Sequence, residues 1–518
     1  MHNAADESYR NLLEPDGEAM NPKSPGIRRL IRSCQVFGLL LALTPVGVSA
    51  QQVVVPAAAA AAPLPGADPP LEPIPTAAEQ AAPAVAVRIP DYQSPGCPGC
   101  PKRSWGKAFI GTFGTNVAFN LLNLTFRPDS RDEFKITPET WWSNLKYGYI
   151  FDDNNFQVNQ FGHPYQGGMY FNAGRANGLN YWESAAMSAM GSFTWECCGE
   201  THRGSMNDFY STTMGGMVLG EVFHRMAGLV RDNMATSGRT TKELIATAVD
   251  PVGGLTRLFN GEWGEVKANP PDQRPDSLGM SAQIGAIWRG AAGTLDQAKA
   301  YPYLALDLAY GDPIKTPAGK PFDAFQAQFV LGGGKGFSEF VVNGRLWGKA
   351  LDDTPTSATR LQLTQGFLFL SNPAYDVGGQ SVGMGVAYSK SLGSQTSLYL
   401  YGSGQFMPLA AISAEHVEVN ERTYDYGPTA GASGLLAIRH QQESVLRLFY
   451  NSTYLKAVNG SGGNHAVQMF QALGSWPLSR RLSAGALVSF FVRNSFYEIN
   501  PDTFTKYPES RVFLGVRF

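Results

Sequence analysis

Leu482–Arg493 reads LSAGALVSFFVR, and its side chains sort into two interleaved sets. Leu482, Ala484, Ala486, Val488, Phe490 and Val492 are apolar, whereas Ser483, Gly485, Ser489 and Arg493 are small or polar. A period of two is the signature of a strand, since successive side chains of an extended chain point to opposite faces. The same period recurs upstream. Ala282, Ile284, Ala286 and Trp288 alternate with Gln283, Gly285 and Arg289, and Leu304, Leu306, Leu308 and Tyr310 alternate with Ala305, Asp307 and Ala309. Phe325/Ala327/Phe329 and Val382/Met384/Val386/Tyr388 repeat the pattern.

Between Ser281 and Phe518 there are about a dozen such segments of the ~10-residue length that a tilted membrane strand needs. An apolar face set against a small or polar one suits lipid outside and packed polar groups inside. A soluble sandwich also alternates. The final segment, SRVFLGVRF, carries Val512, Leu514, Val516 and Phe518 on one face. It resembles the terminal assembly signal of bacterial outer-membrane proteins, which implies outer-membrane lipid and the barrel-assembly machinery, through the Phe518 strand, as partners. The expected fold is therefore α+β: a small N-terminal helical module, then a C-terminal antiparallel transmembrane β-barrel of about 12 strands.

Composition excludes some functions. Lys plus Arg total 41 and Asp plus Glu total 43, a net charge of −2, a balance that argues against nucleic acid, whose phosphates demand a basic face. Arg28, Arg29 and Arg32 precede an apolar run from Val36 to Val48, and Val48-Ser49-Ala50 supplies small residues for cleavage. This reads as an export signal over residues 1–50, cut after Ala50, with the cell outer membrane as destination. Residues 51–101 are rich in Ala and Pro and read as a disordered spacer leaning towards polyproline II. Residues 102–270 are assigned to the helical module and 271–518 to the barrel.

Four of the five cysteines lie beyond the signal: Cys97 and Cys100 in a CPGC, and the adjacent Cys197 and Cys198. In an oxidising compartment a disulfide within or between these pairs is expected, and the pairing itself is open. A single CxxC lacks the second half of a zinc site.

The helical pattern centres on Gln160–Arg231. Its segments run roughly from Pro164 to Arg175, Tyr181 to Cys198 and Asn207 to Val230. Small residues such as Ala185, Ala189, Gly216 and Gly220 at three- and four-residue spacing predict helices in close approach. Pro164 after His163 fits a first helical position, with His163 as the cap. From Trp105 to Leu124 periodicity does not separate strand from helix. Glu196 and Glu200, one turn apart, are expected to share a face, and Asp208 to open the next helix, where its charge suits the positive helix end.

GHPYQGGMYFNAGRANGLNYWES from Gly162, GSFTWE from Gly191, MNDFYSTTMGGMVLGE from Met206 and DPVGGLTRLFNGE from Asp250 resemble, in order, the bacterial family called domain of unknown function 3943. The likeness covers roughly residues 141–262. It implies an exported protein of Gram-negative bacteria, with no established activity. It marks His163, Trp182, Glu183, Trp195, Glu196, Asn207, Asp208 and Glu221 without assigning roles.

Two functions follow from the residues. In the first, the helices dock on, plug or support the barrel, in a structural or transport role. In the second, His163, Glu196 and Asp208 share a pocket and hydrolyse an envelope lipid or glycan. No GxSxG, HExxH or P-loop supports the second, and neither cofactor nor resident metal is expected. Whether the chain is an enzyme, and its oligomeric state, stay open.

Overall fold

The computed structural model describes residues 100–232, 238–265, 269, 273–290, 298–334, 336–416, 422–440 and 443–518. The expected signal segment, its cleavage point after Ala50, the spacer up to residue 99 and Cys97 lie outside the described residues.

Twelve antiparallel strands close into a barrel in simple up-and-down order, with β1 (Leu278–Arg289) paired to β12 (Thr503–Arg517). Between them run β2 (Lys299–Tyr310), β3 (Phe325–Gly332), β4 (Phe337–Asp353), β5 (Ser357–Ser371), β6 (Asp376–Ser391), β7 (Thr396–Ser413), β8 (Tyr424–His440), β9 (Glu443–Lys456), β10 (Gly463–Pro477) and β11 (Leu482–Tyr497). The expected fold class is what the chain adopts. Closure removes both sheet edges, so the ladder has no unpaired row of backbone groups.

Register separates inside from outside. Ile287, Tyr303 and Val330 of β1–β3 cluster with Leu473, Leu487 and Phe513 of β10–β12, a band along six consecutive strands of the inner wall. On the same inward face Glu509 bonds Arg289 at 2.7 Å and Arg511 at 2.8 Å, and Arg511 reaches Glu339 at 3.4 Å. Leu370, Tyr375, Val377, Leu455, Val467 and Phe491 fill the lumen near one rim. At the other, Ile314 of the β2–β3 loop is wedged among Ala358, Ala387, Tyr399 and Ala437. Side chains of strands that are not neighbours meet inside the barrel, Arg511 of β12 with Glu339 of β4 and Tyr375 of the β5–β6 turn with Phe491 of β11.

The opposite parity faces out. Ile284 pairs with Leu514, and both are largely exposed. On the far side of the barrel the register links Leu306 to Phe329, Phe329 to Phe340, Phe340 to Phe369, Phe369 to Gly378, Gly378 to Ala411 and Ala411 to Tyr426. Beyond Leu306 this row is not open. Helices cover it.

The helical module consists of α1 (Trp105–Phe126), a 3-10 turn (Pro128–Phe134), α2 (Pro138–Tyr147), α3 (His163–Ala176), α4 (Tyr181–Cys198), α5 (Met206–Arg231), α6 (Arg239–Val249) and α7 (Pro251–Phe259). The segment that periodicity left undecided is helix α1, started by Ser104, whose hydroxyl accepts from the Lys107 amide at 3.3 Å. The Asn180–Glu183 capping box fixes the start of α4, and Ser205 caps α5.

Glycine sets the closeness of the bundle. A Cβ on Gly167 of α3 would strike the Thr212 carbonyl of α5, and one on Gly216 would strike the backbone of Gly167. Only hydrogen fits at this crossing. Phe161 packs edge-on to Phe337 at 4.9 Å between ring centroids and lies within 6.2 Å of Phe369. Tyr181 stacks on Phe322 and donates to Gln365 at 2.5 Å. The bundle therefore docks on the outer wall of β2–β8; it does not plug the lumen.

Candidate functional site

His163, Glu196 and Asp208 come from three different helices. The chain is already helical at Phe156, and a π-turn over Val158–Gly162 leads into α3, with the His163 amide bonded to the Val158 carbonyl. Here the structure departs from the sequence reading, since His163 lies inside a continuous helix and caps nothing. The wide turn accommodates Pro164, which has no N–H and would collide with a carbonyl in a regular helix.

The three side chains meet. His163, Glu196 and Asp208 are 8%, 2% and 3% exposed, and one ligating atom of each lies within 4.8 Å of the others. His163 Nε2 stands 3.5 Å from Asp208 Oδ2, and His163 Nδ1 is buried with no hydrogen-bond partner. Glu196 Oε2 accepts from the Ser205 amide at 2.7 Å, and Ser205 Oγ accepts from the Asp208 backbone amide at 3.2 Å, so the α4–α5 turn holds the Glu196 carboxylate and caps the helix that carries Asp208. Among the described residues no lysine or arginine pairs with Glu196 or Asp208. Two buried carboxylates side by side carry a desolvation cost and repel one another unless a proton or a cation sits between them.

A polar layer ties this cluster to the barrel. Asn207 donates to Asp208 Oδ1 at 2.9 Å, to Asp152 Oδ1 at 3.1 Å and to the Tyr426 hydroxyl at 3.2 Å. Asn159 donates to Asp152 at 2.6 Å and to the Tyr424 hydroxyl at 2.7 Å. Sequence reasoning missed Asp152, Asn159, Tyr424 and Tyr426. The two tyrosines sit in a strand more than two hundred residues from the helices that meet them, and only the DNNFQVNQ run around Asp152 hinted at a polar layer.

A pocket of about 120 Å³ reaches Glu196, lined by Asn144, Tyr149, Phe193, Cys197 and Gly204. Of the three clustered side chains, Glu196 is the one that lines it. Gly204 keeps the space open, because a Cβ there would press on Glu196 and the Tyr149 ring at 3.1 Å.

Other marked residues have structural work. Glu221, fully buried, takes Arg175 and Arg225 at 2.8 Å each. Glu183 closes the capping box, Trp195 packs on Phe119 and Phe134, and Trp182 is exposed. Glu200 does not share a face with Glu196, because α4 ends at Cys198; Glu200 turns instead to Trp195 Nε1 at 3.2 Å and His202 at 3.0 Å. The hydrogen bond to Glu200 raises the His202 pKa to about 9. Cys197 and Cys198 are joined in a disulfide.

Residues 148–252 match the family described as domain of unknown function (DUF3943). The DUF3943 match takes in α3, α4, α5, α6 and the three clustered side chains. No curated relative matches the chain. Solved structures that align include the NanC porin, at 8% identity over 46% of this chain and 100% of that one, TM-score 0.25. The KdgM porin aligns at 8% identity, 46% and 99% coverage and TM-score 0.22, and the outer-membrane channel DcaP of Acinetobacter baumannii at 9%, 47% and 96% and 0.23. Scores at this level carry no argument, and the barrel rests on its own strand register.

Proposed function

We propose that this is an outer-membrane protein in which a filled β-barrel acts as scaffold for the DUF3943 bundle, and that the bundle lies beside the barrel in the lipid. One observation carries this reading, namely the inverted polarity of the bundle. Its ionisable groups Arg175, Glu221, Arg225, Glu196 and Asp208 are buried in the centre, while Ile110, Val117, Leu121 and Phe126 of α1, Trp182 and Phe193 of α4, and Leu255, Leu258 and Phe259 of α7 face outward. A water-soluble bundle has the opposite arrangement. An apolar perimeter around a polar core is the arrangement that lipid favours.

No helix among the described residues is long and apolar enough to cross a membrane. The apolar surface here belongs to the perimeter of the assembly, and the core-facing residues of each helix dilute its mean hydropathy. At 26 residues and 1.5 Å per residue, α5 is about 39 Å long, against a hydrocarbon core of ~30 Å. It starts beside Tyr426, near the rim where β8 begins, and reaches Tyr310, near the other rim, where Arg225 bonds its hydroxyl at 3.2 Å.

Side chains that meet across the lumen, Arg511 with Glu339 and Tyr375 with Phe491, argue against a pore. Reconstituted in a planar bilayer, the protein should give no stepwise conductance, while migrating on gels as a heat-modifiable outer-membrane species. Reproducible channel openings, or a soluble periplasmic protein, would reject the reading. Outer-membrane lipid and the barrel-assembly machinery, acting on the Phe518 strand, are the partners this function requires.

A second reading, hydrolysis of an envelope lipid or glycan, draws on the convergence of His163, Glu196 and Asp208 beside a pocket. His163→Ala and Glu196→Gln should then change the envelope lipid or glycan profile while leaving the barrel assembled. An unaltered profile in both variants counts against it.

A further inference from the structure

We propose that His163, Glu196 and Asp208 form a binding site for one first-row divalent metal ion, open to the exterior through the pocket beside Glu196. The inference deepens the account of the bundle's polar core and does not depend on whether the bundle lies in lipid.

Geometry comes first. Ligand atoms around a tetrahedral ion bonded at about 2.1 Å stand about 3.4 Å apart. His163 Nε2 and Asp208 Oδ2 are 3.5 Å apart, and the set of three fits within 4.8 Å, so a small contraction completes the triangle. Glu196 also lines the pocket of about 120 Å³, which has room for water or one oxygen of a larger ligand.

Charge and hydrogen bonding agree with it. Glu196 and Asp208 bring two carboxylates into a buried space in which no lysine or arginine among the described residues answers them. A divalent ion supplies the missing positive charge. His163 adds an independent sign, since the residue is 8% exposed, yet Nδ1 has no partner and Nε2, the nitrogen that faces the carboxylates, is 3.5 Å from Asp208 Oδ2. A histidine kept only for packing would have its ring nitrogens satisfied. The carboxylates are meanwhile held from behind, Glu196 by the Ser205 amide and Asp208 by the Asn207 amide, as ligands are when a second layer fixes their orientation. One imidazole and two carboxylates suit zinc, manganese or iron(II) better than calcium or magnesium, which take oxygen ligands. The signal was weak in sequence, because the three residues belong to no short metal motif and meet only across three helices.

The test uses the full chain in detergent, stripped with chelator and titrated with Zn²⁺. One zinc per chain is expected, with affinity falling at least about a hundredfold in Asp208→Asn and Glu196→Gln, beyond what loss of a supporting contact costs. His202→Asn, which removes an exposed histidine beside Glu200, should leave binding unchanged. Heat-modifiability and tryptophan fluorescence check that the variants fold. X-ray absorption on the zinc-loaded wild type gives a reading independent of any variant, and should show one imidazole among oxygen ligands. Zinc well below one per chain, retention in both carboxylate variants, loss in His202→Asn, or a shell without imidazole would each overturn the proposal, leaving a proton shared between the carboxylates as the neutralising species.

Discussion

Gln160 of the helical module lies directly against Gly378 on the outer wall of the barrel. A Cβ at residue 378 would come within 2.7 Å of Gln160 Cγ, and the Gln160 amide donates to the Tyr426 hydroxyl at 3.1 Å. The contact is as buried as a protein core, with Gln160 2% exposed. Module and barrel are joined here by shape.

Gly378→Leu therefore attacks the joint without touching the lumen. Overpacking costs about 1–3 kcal/mol, and the strain falls on docking, because residue 378 faces out. Limited proteolysis should release the helices of the variant while the strands keep their heat-modifiable migration. Equal resistance in variant and wild type would mean that this contact does not hold the module in place.

Glu221 is the hinge of the second buried network. Glu221→Gln leaves Arg175 and Arg225 without their common partner, and breaking a buried ion pair costs about 3–5 kcal/mol. Arg225 also bonds the Tyr310 hydroxyl and the Pro321 carbonyl, so the damage should spread to the wall. Denaturant unfolding followed by tryptophan fluorescence should show a lowered midpoint for the helical phase. An unchanged midpoint would contradict the role given to Glu221.

The His202–Glu200 pair should give the turn between α4 and α5 a pH dependence. The folded pKa of His202, about 9, lies above the unfolded value of 6.5. The pair's stabilisation is thus fully present below about pH 6.5 and is lost as pH rises through about 9. Glu200→Gln should return the titration of His202, followed by NMR, towards 6.5. A midpoint already near 6.5 in the wild type would remove the interaction. The side chain is 46% exposed, so the effect on global stability is small.

Asn207 tests the layer between site and barrel. Asn207→Ala removes the donor shared by Asp152, Asp208 and Tyr426, and leaves buried acceptors unsatisfied at about 1–3 kcal/mol. Hydrogen exchange should rise at the start of α5 and at Tyr426 together. A rise confined to α5 would show that the layer does not couple the two.

The barrel was legible because alternation is local: Leu482 to Val492 states its two faces without help from elsewhere. What the alternation could not say is what lies outside. Phe329, Phe340 and Phe369 read like the lipid-facing Leu514 and Ile284, yet they face helices, since an apolar surface looks the same in sequence whichever apolar partner covers it. The extent of α4, Tyr181 to Cys198, was readable beside its small-residue pattern, and the structure adds the Asn180–Glu183 capping box at its start. Helix α1 was not, because its apolar residues surround it and leave no periodic contrast. His163, Glu196 and Asp208 were readable as a set, whereas their support from Tyr424 and Tyr426 was not, being a product of closure and docking. Glu200 was misplaced by assuming that α4 continued past Cys198.

The most direct test of the central reading is a nitroxide label at Val117, on the outward face of α1, in the full chain reconstituted in phospholipid vesicles. Power saturation then compares collision with oxygen, which concentrates in lipid, with collision with a water-soluble nickel chelate. Val117 should behave like Ile284 on the open barrel wall and unlike Asn500 in the exposed β11–β12 loop, with oxygen favoured over nickel. A label at Val117 that meets the nickel chelate as freely as one at Asn500 would put the bundle in water and end the reading of a membrane-embedded module.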